Sequence, residues 1–538
     1  MNFILYILYR GGVVVNSVTL INRVAIGDII RRSARRYPSK TAIVDGKRRM
    51  TFQELEGQSN QFAHYLLSQG FRKGDKIATI CQNSADFVVA MFGIHKAGMV
   101  WVPINPGLAP ADIQYILTHS EARLVIVDDQ LFANPSLRNL LMETVDKMVI
   151  IPYAGLPSED GLPIIESALA LQPTEEPLLE IAERDVAQIM YTSGTTGRPK
   201  GVMQSHLAVY IASLGNIIEM NLRADDVATA MMPLFHCAQH SMLTSFLHIG
   251  ATNVILRGFD PVTLMATIER EKITWVFALP MMYRVLLDHP ERASYDLSSL
   301  KFCLYAMAPM DENTLRRAIA ELCPNFALGS GQTEMYPGTT FFKPEEQLRR
   351  FGSYWGSPSI INDTAIMDEE GNLLPPGQVG EIVHRGPNVM EGYYKNPEAT
   401  AESRLHGWHH TGDLGMFDAD GQLLFVDRKK DMIKTGGENV PSIKVEQVLL
   451  SHPAVANAAA VGLPHPRWSE AVTAFVTLKP GARASGEELI QFCKGHLGGF
   501  EVPKAVQIIE QFPMTTTGKI QKHVLRDTYR DFYAKESV

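Results

Sequence analysis

The stretch that decides the fold is Tyr191-Thr192-Ser193-Gly194-Thr195-Thr196-Gly197-Arg198-Pro199-Lys200-Gly201, which directly follows the apolar run 187–190. Glycines let backbone N–H groups approach an anion closely, and the hydroxyl side chains add hydrogen-bond donors. Lys200 adds a positive charge for a polyphosphate. The spacing is not that of a Walker A loop, which ends in Gly-Lys-Ser/Thr. The stretch therefore predicts a phosphate-binding loop after a strand, with a Ser/Thr/Gly-rich surface loop as the alternative.

On both sides of this loop, short β-rich runs alternate with longer helical ones. Such alternation predicts βαβ units and parallel sheets. The predicted strands are 76–80, 100–103, 124–127, 187–190, 227–231, 254–256, 273–277 and 302–305, and the predicted helices are 85–97, 111–120, 261–272 and 311–322. Turn signals at 369–372, 375–377 and 418–421 predict a small β-rich subdomain over 360–430. We expect a domain boundary near Lys430, followed by alternating helices and strands.

Composition narrows the class of protein. The chain has 538 residues, too many for a single hydrophobic core. Its net charge of -8 argues against a nucleic-acid partner. The five cysteines form no C-x-x-C pair, which favours a reducing compartment, the cytoplasm, over a disulfide framework or zinc site.

The apolar run at the N-terminus ends at Arg10, well short of the ~20 apolar residues that span a membrane. We interpret residues 1–22 as an N-terminal extension outside the fold, with at most peripheral membrane contact. Nothing in the sequence indicates an oligomeric state.

Several other motifs accompany the loop. They are Pro233-Leu234-Phe235-His236, Tyr305-Ala306-Met307-Ala308-Pro309-Met310, Gly329-Ser330-Gly331-Gln332-Thr333-Glu334, Trp408-His409-His410-Thr411-Gly412-Asp413, Asp427-Arg428-Lys429-Lys430-Asp431-Met432-Ile433-Lys434-Thr435-Gly436-Gly437-Glu438-Asn439-Val440 and Pro513-Met514-Thr515-Thr516-Thr517-Gly518-Lys519-Ile520-Gln521-Lys522. With the loop, which matches T-S-G-T-T-G-x-P-K-G, they resemble the adenylate-forming (AMP-binding) enzymes. This superfamily includes acyl-CoA synthetases, 4-coumarate–CoA ligases, luciferases and peptide adenylation domains. The resemblance extends from about Asp45 to Leu525.

The resemblance implies an α/β fold. A large N-terminal domain would hold two doubly wound subdomains plus a small β subdomain, and a mobile α+β C-terminal domain would follow. The resulting boundaries are 1–22 for the extension, 23–429 for the synthetase domain and 430–538 for the mobile domain, with Lys430 as the hinge.

The resemblance also implies roles for particular residues. Lys519, Glu334, Thr195 and His236 would be catalytic, with Lys519 stabilising the charge on the α-phosphate and His236 gating the acid pocket. Glu334 and Thr195 would hold Mg²⁺. ATP, the adenylate and coenzyme A would contact Thr192, Ser193, Gly194, Thr195, Thr196, Gly197, Lys200, Ala306, Met307, Ala308, Thr333, Asp413, Arg428, Lys434, Gly436 and Gly437.

Structural alternatives stay open for some of these residues. They are a strand end for 306–308, a structural histidine for His236 and a solvated charged face for 427–431. Lys522 reads as a surface charge. Ser330 departs from the family, which usually has an aromatic residue there.

The implied activity is that of an acyl-CoA synthetase using a carboxylic acid, ATP, Mg²⁺ and CoA. A medium- or long-chain fatty acid is the first expectation, because the chain as a whole most resembles fatty-acid–CoA ligases. The small or flexible side chains Cys237, Ala238, Ser241 and Met242 after His236 also suggest room for an extended acyl chain. An aryl acid of the coumarate or benzoate kind, or an adenylating enzyme that loads a carrier protein in trans, is the alternative. A non-catalytic nucleotide-binding protein is disfavoured, because the charged motif residues, including Lys200, Glu334 and Lys519, are all present.

Overall fold

The computed structural model describes residues 7–10, 13–16, 21–156, 161–192, 198–306, 310–350, 352–514 and 520–534. The chain forms two compact units. The N-terminal unit comprises Met1–Thr364 and His384–His409, and the C-terminal unit comprises Ala365–Val383 and His410–Val538. Our predicted boundaries at residues 22 and 430 stay predictions. Near the start of the chain, strands Ile7–Arg10 and Val13–Asn16 pair antiparallel.

One sheet of the N-terminal unit carries the two strands that flank the phosphate loop. Its spatial order is Gly392–Tyr393, Lys200–Ser205, Val186–Thr192, Val100–Pro103, Lys76–Ile80, Ala122–Asp128 and Met148–Ile151. From Val186–Thr192 onward all pairs are parallel, whereas Lys200–Ser205 pairs antiparallel with both of its neighbours. The parallel strands predicted from the sequence are confirmed.

A second sheet supplies the strands that end at the remaining motifs of this unit. Nine of its strands lie in the order Tyr354–Pro358, Thr340–Phe342, Phe326–Ser330, Phe302–Tyr305, Trp275–Ala278, Val227–Ala230, Thr252–Ile255, Thr41–Asp45 and Arg48–Thr51. The six strands from Phe326–Ser330 to Thr41–Asp45 pair in parallel. Strands such as Trp275–Ala278 are buried throughout, as expected when helices cover both faces of a parallel sheet.

Helices separate these strands along the chain. They are Gly27–Arg36, Phe52–Ser68, Ala85–Lys96, Pro110–Ser120, Asp129–Phe132, Pro135–Thr144, Ile165–Leu169, His206–Glu219, Cys237–Ile249, Pro261–Glu271, Pro280–Asp288, Glu312–Glu321 and Pro397–Glu402. Ser84, Asp260 and Asp311 cap the helices that follow them by accepting a backbone N–H. The largest core cluster joins side chains from both sheets, including Ile77 and Ile255.

The C-terminal unit begins with β structure and continues as α+β. Four strands, Asp363–Met367, Gly380–Arg385, His409–Phe417 and Leu423–Arg428, are consecutive neighbours. The following sheet has the order Glu438–Val440, Ile433–Thr435, Ser469–Leu478 and Val455–His465, and Ala505–Ile508 pairs in parallel with Ser469–Leu478. Its helices are Ser442–Ser451, Gly486–Lys494 and Lys522–Thr528. The predicted β-rich region and the alternation after it are both confirmed.

All five cysteines are free and buried. Within the part of the chain that the structure describes, no helix has the length and apolar character needed to cross a membrane.

Candidate active site

The two ends of the phosphate loop meet as neighbouring strands. Thr192 closes one strand and lies opposite Lys200, which opens the next. Gly201 is required here, because a Cβ atom on it would come within 2.8 Å of the Ile189 side chain. Ser193, Gly194, Thr195, Thr196 and Gly197 lie outside the described residues.

Tyr393 joins two of the predicted site residues. Its hydroxyl donates to Glu334 Oε1 at 3.0 Å, and the Lys200 ammonium lies 5.0 Å from the centre of its ring. Burial, together with the negative charge of Glu334, raises the pKa of the Tyr393 hydroxyl, so the phenol stays protonated and acts as a donor. The structure therefore brings a cation and a carboxylate, 134 positions apart in sequence, to the same tyrosine.

Thr333 and Glu334 lie in a 3₁₀ turn, Thr333–Met335, rather than at the start of an α-helix. The next residue, Tyr336, is fully buried with φ at 34°, an unfavourable region for a bulky residue. Its hydroxyl is hydrogen-bonded to His240. This contact ties the end of the turn to the helix Cys237–Ile249.

His236 precedes the helix that carries His240. It is the N-cap of Cys237–Ile249, and its Nδ1 accepts from the Ala238 N–H at 3.3 Å. The neighbouring Cys237 Sγ lies 3.5 Å from Thr333 Oγ1. His236 thus has a structural role in capping and also lies close to the Thr333–Met335 turn, while its predicted gating role stays a prediction.

The predicted adenylate-facing segment begins where a parallel strand ends. Ala306 follows the strand Phe302–Tyr305 and packs beside the cluster that contains Leu304 and Phe341. Ligands of open α/β sheets bind at the carboxyl ends of the strands, so this position fits the predicted role. Met307 and Ala308 lie outside the described residues.

In the C-terminal unit, Asp413 and Arg428 face each other on paired antiparallel strands. Arg428 Nε lies 3.7 Å from Asp413 Oδ1, and Asp413 is nearly buried whereas Arg428 is partly exposed. The Asp413 N–H donates to Thr411 Oγ1, whose hydroxyl donates to the Ile382 carbonyl oxygen. This arrangement fixes a carboxylate beside a guanidinium, as ribose recognition needs, although their contact with ribose stays a prediction.

The residues predicted to meet pantetheine form a tight hairpin. Gly436 and Gly437 connect Ile433–Thr435 to Glu438–Val440 with φ values of 61° and 88°. Two consecutive left-handed residues define a type I′ turn, which glycine adopts without strain. The Gly436 N–H donates to the Trp468 carbonyl oxygen at 2.9 Å, and Lys434 extends from an exposed position. Lys519 lies outside the described residues.

The interpretation of Lys522 as a surface charge is wrong. Its ammonium lies 2.6 Å from Glu446 Oε1 and also 2.6 Å from Ser442 Oγ, because Lys522 begins a helix whose first turn meets the helix Ser442–Ser451. Arg526, one turn further on, pairs with Asp431 at 2.5 Å. Burial opposes ionisation of Asp431, but the positive charges of Lys522 and Arg526 outweigh it and keep the pKa of this carboxyl below its ordinary value. The segment 427–431 is therefore not merely a solvated charged face.

Sequence reasoning missed three residues that hold the Thr333–Met335 turn, namely Gln204, Asn388 and Tyr393. Gln204 donates to the Thr333 carbonyl oxygen, and Asn388 donates to that of Met335 at 2.8 Å. The strand pairing that brings Tyr393 beside Val202 has no local signal in the sequence. The sequence shows that a tyrosine follows Gly392, but it does not show that this tyrosine contacts Glu334.

The carboxylate at this site fits a metal ion that is held jointly by the protein and by the phosphates of a nucleotide. Among the described residues there is no group of three or more His, Cys, Asp or Glu able to hold a metal ion by themselves. Mg²⁺ is commonly held by one or two carboxylates together with phosphate oxygens. The oriented carboxylate of Glu334 is suited to this, with Thr195 as its predicted companion.

These features are those of an α/β nucleotide-binding enzyme that has a second, C-terminal unit. The chain belongs to the AMP-binding enzyme family, which matches residues 30–394, and the AMP-binding enzyme C-terminal domain matches residues 444–519. It is an adenylate-forming enzyme of the acyl-CoA synthetase type, and enzymes of this type use ATP, Mg²⁺ and CoA.

Named relatives and a solved structure resemble the chain over nearly its whole length. Feruloyl-CoA synthase from Amycolatopsis sp is 35% identical, covering 92% of this chain and 97% of the relative. Long-chain-fatty-acid–CoA ligase FadD13 from Mycobacterium tuberculosis is 31% identical, covering 94% and 98%. ATP-bound MatB from Rhodopseudomonas palustris superimposes with a TM-score of 0.84 at 27% identity, covering 94% and 99%.

Proposed function

We propose that this chain converts a carboxylic acid to its CoA thioester in two steps, using the residue roles predicted from the sequence. The observation that carries the proposal is the convergence of Lys200 and Glu334 on Tyr393, with Thr333 beside Cys237. In the first step a carboxylate oxygen of the acid attacks the α-phosphorus of ATP, and pyrophosphate leaves. In the second step the CoA thiolate attacks the acyl carbon and AMP leaves.

The chain's charged residues have separate tasks in this proposal. Lys200 binds the phosphates, and Glu334 would hold the Mg²⁺, which would supply further positive charge beside them. Lys519 stabilises the charge that gathers on the α-phosphate in the transition state. Asp413 accepts hydrogen bonds from the ribose, and the Gly436–Gly437 turn meets the pantetheine arm during thioester formation.

Buried polar side chains on and beside the helix that follows His236 favour a polar or aromatic acid as the substrate. Asn216 Nδ2 donates to Ser241 Oγ at 2.8 Å and to Ser245 Oγ at 3.1 Å, and all three side chains are buried. The Asn216 amide oxygen lies only 3.0 Å from the position that a Cβ on Gly338 would occupy, just beyond the Thr333–Met335 turn. An oxygen-bearing acid that entered between Asn216, Ser241 and Ser245 can replace their mutual hydrogen bonds with its own. An alkyl chain in the same place would leave these buried polar groups without hydrogen bonds.

The same helix contributes Met242 and Phe246 to a buried apolar cluster that also contains other aromatic side chains. Phe246 and Trp275 pack edge to face at 5.4 Å, and Met242 and Phe341 belong to the same cluster. Met242 is therefore a core residue, and its flexibility is not evidence for a channel that takes an extended chain. The relationship to feruloyl-CoA synthase also supports an aryl acid.

A medium- or long-chain fatty acid, our first expectation from the sequence, is the second candidate. It is supported by the identity to FadD13, which extends over nearly the whole of both chains. We place the reaction in the cytoplasm, because the five free cysteines fit a reducing compartment.

The experiment is CoA-dependent AMP release across acids from acetate to palmitate, with ferulate, coumarate, benzoate and 4-hydroxybutyrate. We expect the highest kcat/KM for an aryl or hydroxylated acid. A maximum at palmitate would replace this candidate with the fatty-acid one. Pyrophosphate release without transfer to CoA would indicate a carrier-protein partner, and no turnover of any acid would contradict the proposal.

A further inference from the structure

Tyr393 has a task that no motif assigned to it. It ends the short strand Gly392–Tyr393, which pairs antiparallel with the strand leaving the phosphate loop, and it lies opposite Val202. From there it contacts Lys200 with its ring and Glu334 with its hydroxyl. We propose that Tyr393 is a positioning residue for metal-bound ATP. Its hydroxyl orients the Glu334 carboxylate, which would hold the metal, and its ring fixes the Lys200 ammonium. This inference rests on the proposed function.

Hydrogen bonds that do not involve Tyr393 hold the backbone at Glu334. The carbonyl oxygens of all three residues of the turn Thr333–Met335 accept hydrogen bonds. The donors are the Gln204 side chain, the Met390 N–H at 2.7 Å and the Asn388 side chain at 2.8 Å. With the backbone held, the Glu334 side chain can still rotate, and its hydrogen bond from the Tyr393 hydroxyl restricts that rotation.

Tyr393 suits this task because its two contacts use different parts of the side chain. The hydroxyl donates a hydrogen bond to Glu334 Oε1 and so orients this carboxylate. The ring face attracts the Lys200 ammonium through its quadrupole. One side chain thus sets the separation between the cation that binds phosphate and the carboxylate that binds the metal.

The adjacent tyrosine provides a matched control. The Tyr394 hydroxyl donates to Glu121 Oε2 at 2.8 Å, and Glu121 also pairs with Lys395 at 3.0 Å. This contact likewise joins a phenol to a carboxylate, but it involves none of the predicted site residues. Tyr394→Phe therefore removes a hydrogen bond of the same kind at a more exposed position, and we expect it to leave ATP binding unchanged.

The test is calorimetric titration of ATP into the full-length protein without acid or CoA, once with excess Mg²⁺ and once with EDTA. Tyr393→Phe keeps the ring and removes only the hydroxyl. We expect the Kd for ATP to rise about tenfold with Mg²⁺ and to stay unchanged with EDTA, as for loss of one hydrogen bond to a charged group. Tyr394→Phe should bind like the wild type under both conditions.

Two further variants separate positioning from a merely structural role. Tyr393→Leu also removes the ring, so ATP binding should weaken with EDTA as well. Adding Tyr393→Phe to Glu334→Gln should cause no further loss, because the two residues act on the same metal contact. Equal losses with and without Mg²⁺ for Tyr393→Phe, or no loss at all, would overturn the inference while the wild type still binds ATP. A wild-type protein that does not bind Mg²⁺-ATP would overturn the proposed function itself.

Discussion

Replacing Lys522 by alanine should destabilise the C-terminal unit strongly. The side chains of Lys522 and Glu446 are only 16% and 13% exposed, and Glu446 also accepts the Ala460 N–H at 2.8 Å. Burial raises the pKa of Glu446 despite the nearby ammonium, which means that the ionised carboxylate depends on that partner. Removing one partner of a buried ion pair costs about 3–5 kcal/mol, and we expect a loss of that size.

Hydrogen exchange measured by mass spectrometry over the helix Ser442–Ser451 reads this loss directly. Lys444→Ala serves as the control, because Lys444 pairs with Glu501 while half of its side chain is exposed. Glu501 is buried but also accepts the Gly498 N–H, and water reaches the Lys444 ammonium, so we expect a loss of about 1 kcal/mol, smaller than that for Lys522. The double variant Lys522→Met with Glu446→Gln should recover most of the stability, since Gln keeps the acceptor for Ala460. If Lys522→Ala lowered protection no more than Lys444→Ala does, the predicted difference between a buried and a half-exposed lysine would be contradicted.

The remaining predictions concern pH and the two half-reactions. His206, His240 and His384 are buried, and burial lowers their pKa values to about 4, 3 and 3. In the unfolded chain these histidines have a pKa of about 6.5, so below that pH the unfolded chain binds protons that the folded protein does not. The free energy of unfolding is therefore highest above pH 6.5 and falls as the pH drops below it. At pH 5.5 this amounts to about 1.4 kcal/mol per histidine, or about 4 kcal/mol for the three, measurable by urea unfolding against pH 7.5; a midpoint independent of pH would contradict it. Lys519→Ala should slow adenylation by ~10²–10³ in pre-steady-state pyrophosphate release, yet leave thioester formation from a supplied adenylate nearly unchanged. Gly437→Val should do the reverse, because a β-branched residue is strained at φ 88°, and equal losses in both half-reactions would refute either assignment.

Local sequence patterns predicted most of the parallel sheets. The strands Lys76–Ile80 and Val100–Pro103 agree with the prediction to the residue, since short apolar runs between helical segments leave little ambiguity. The Gly436–Gly437 turn and the caps at Ser84 and Asp260 were not predicted, although they depend only on residues close in sequence. Each of these features has its cause within a few positions.

Other features that escaped prediction depend on distant pairings. Tyr393 contacts Lys200 only because strand Gly392–Tyr393 joins the edge of the first sheet, and Lys522 is paired only because the last helix meets Ser442–Ser451. Asn216 is likewise polar in the sequence, but its hydrogen bonds to the helix after His236 appear only in three dimensions. Family resemblance identified the motif residues, whereas their supporting contacts required the structure.

The central claim, that this chain forms an acyl-adenylate and then a CoA thioester, can be tested by isotope transfer. An acid labelled with ¹⁸O at both carboxyl oxygens is turned over with ATP, Mg²⁺ and CoA, and AMP is analysed by mass spectrometry. Attack of the carboxylate on the α-phosphorus, followed by cleavage at the acyl carbon, predicts one ¹⁸O in each AMP and one in each thioester. Unlabelled AMP, or ¹⁸O found instead in inorganic phosphate or pyrophosphate, would contradict the account.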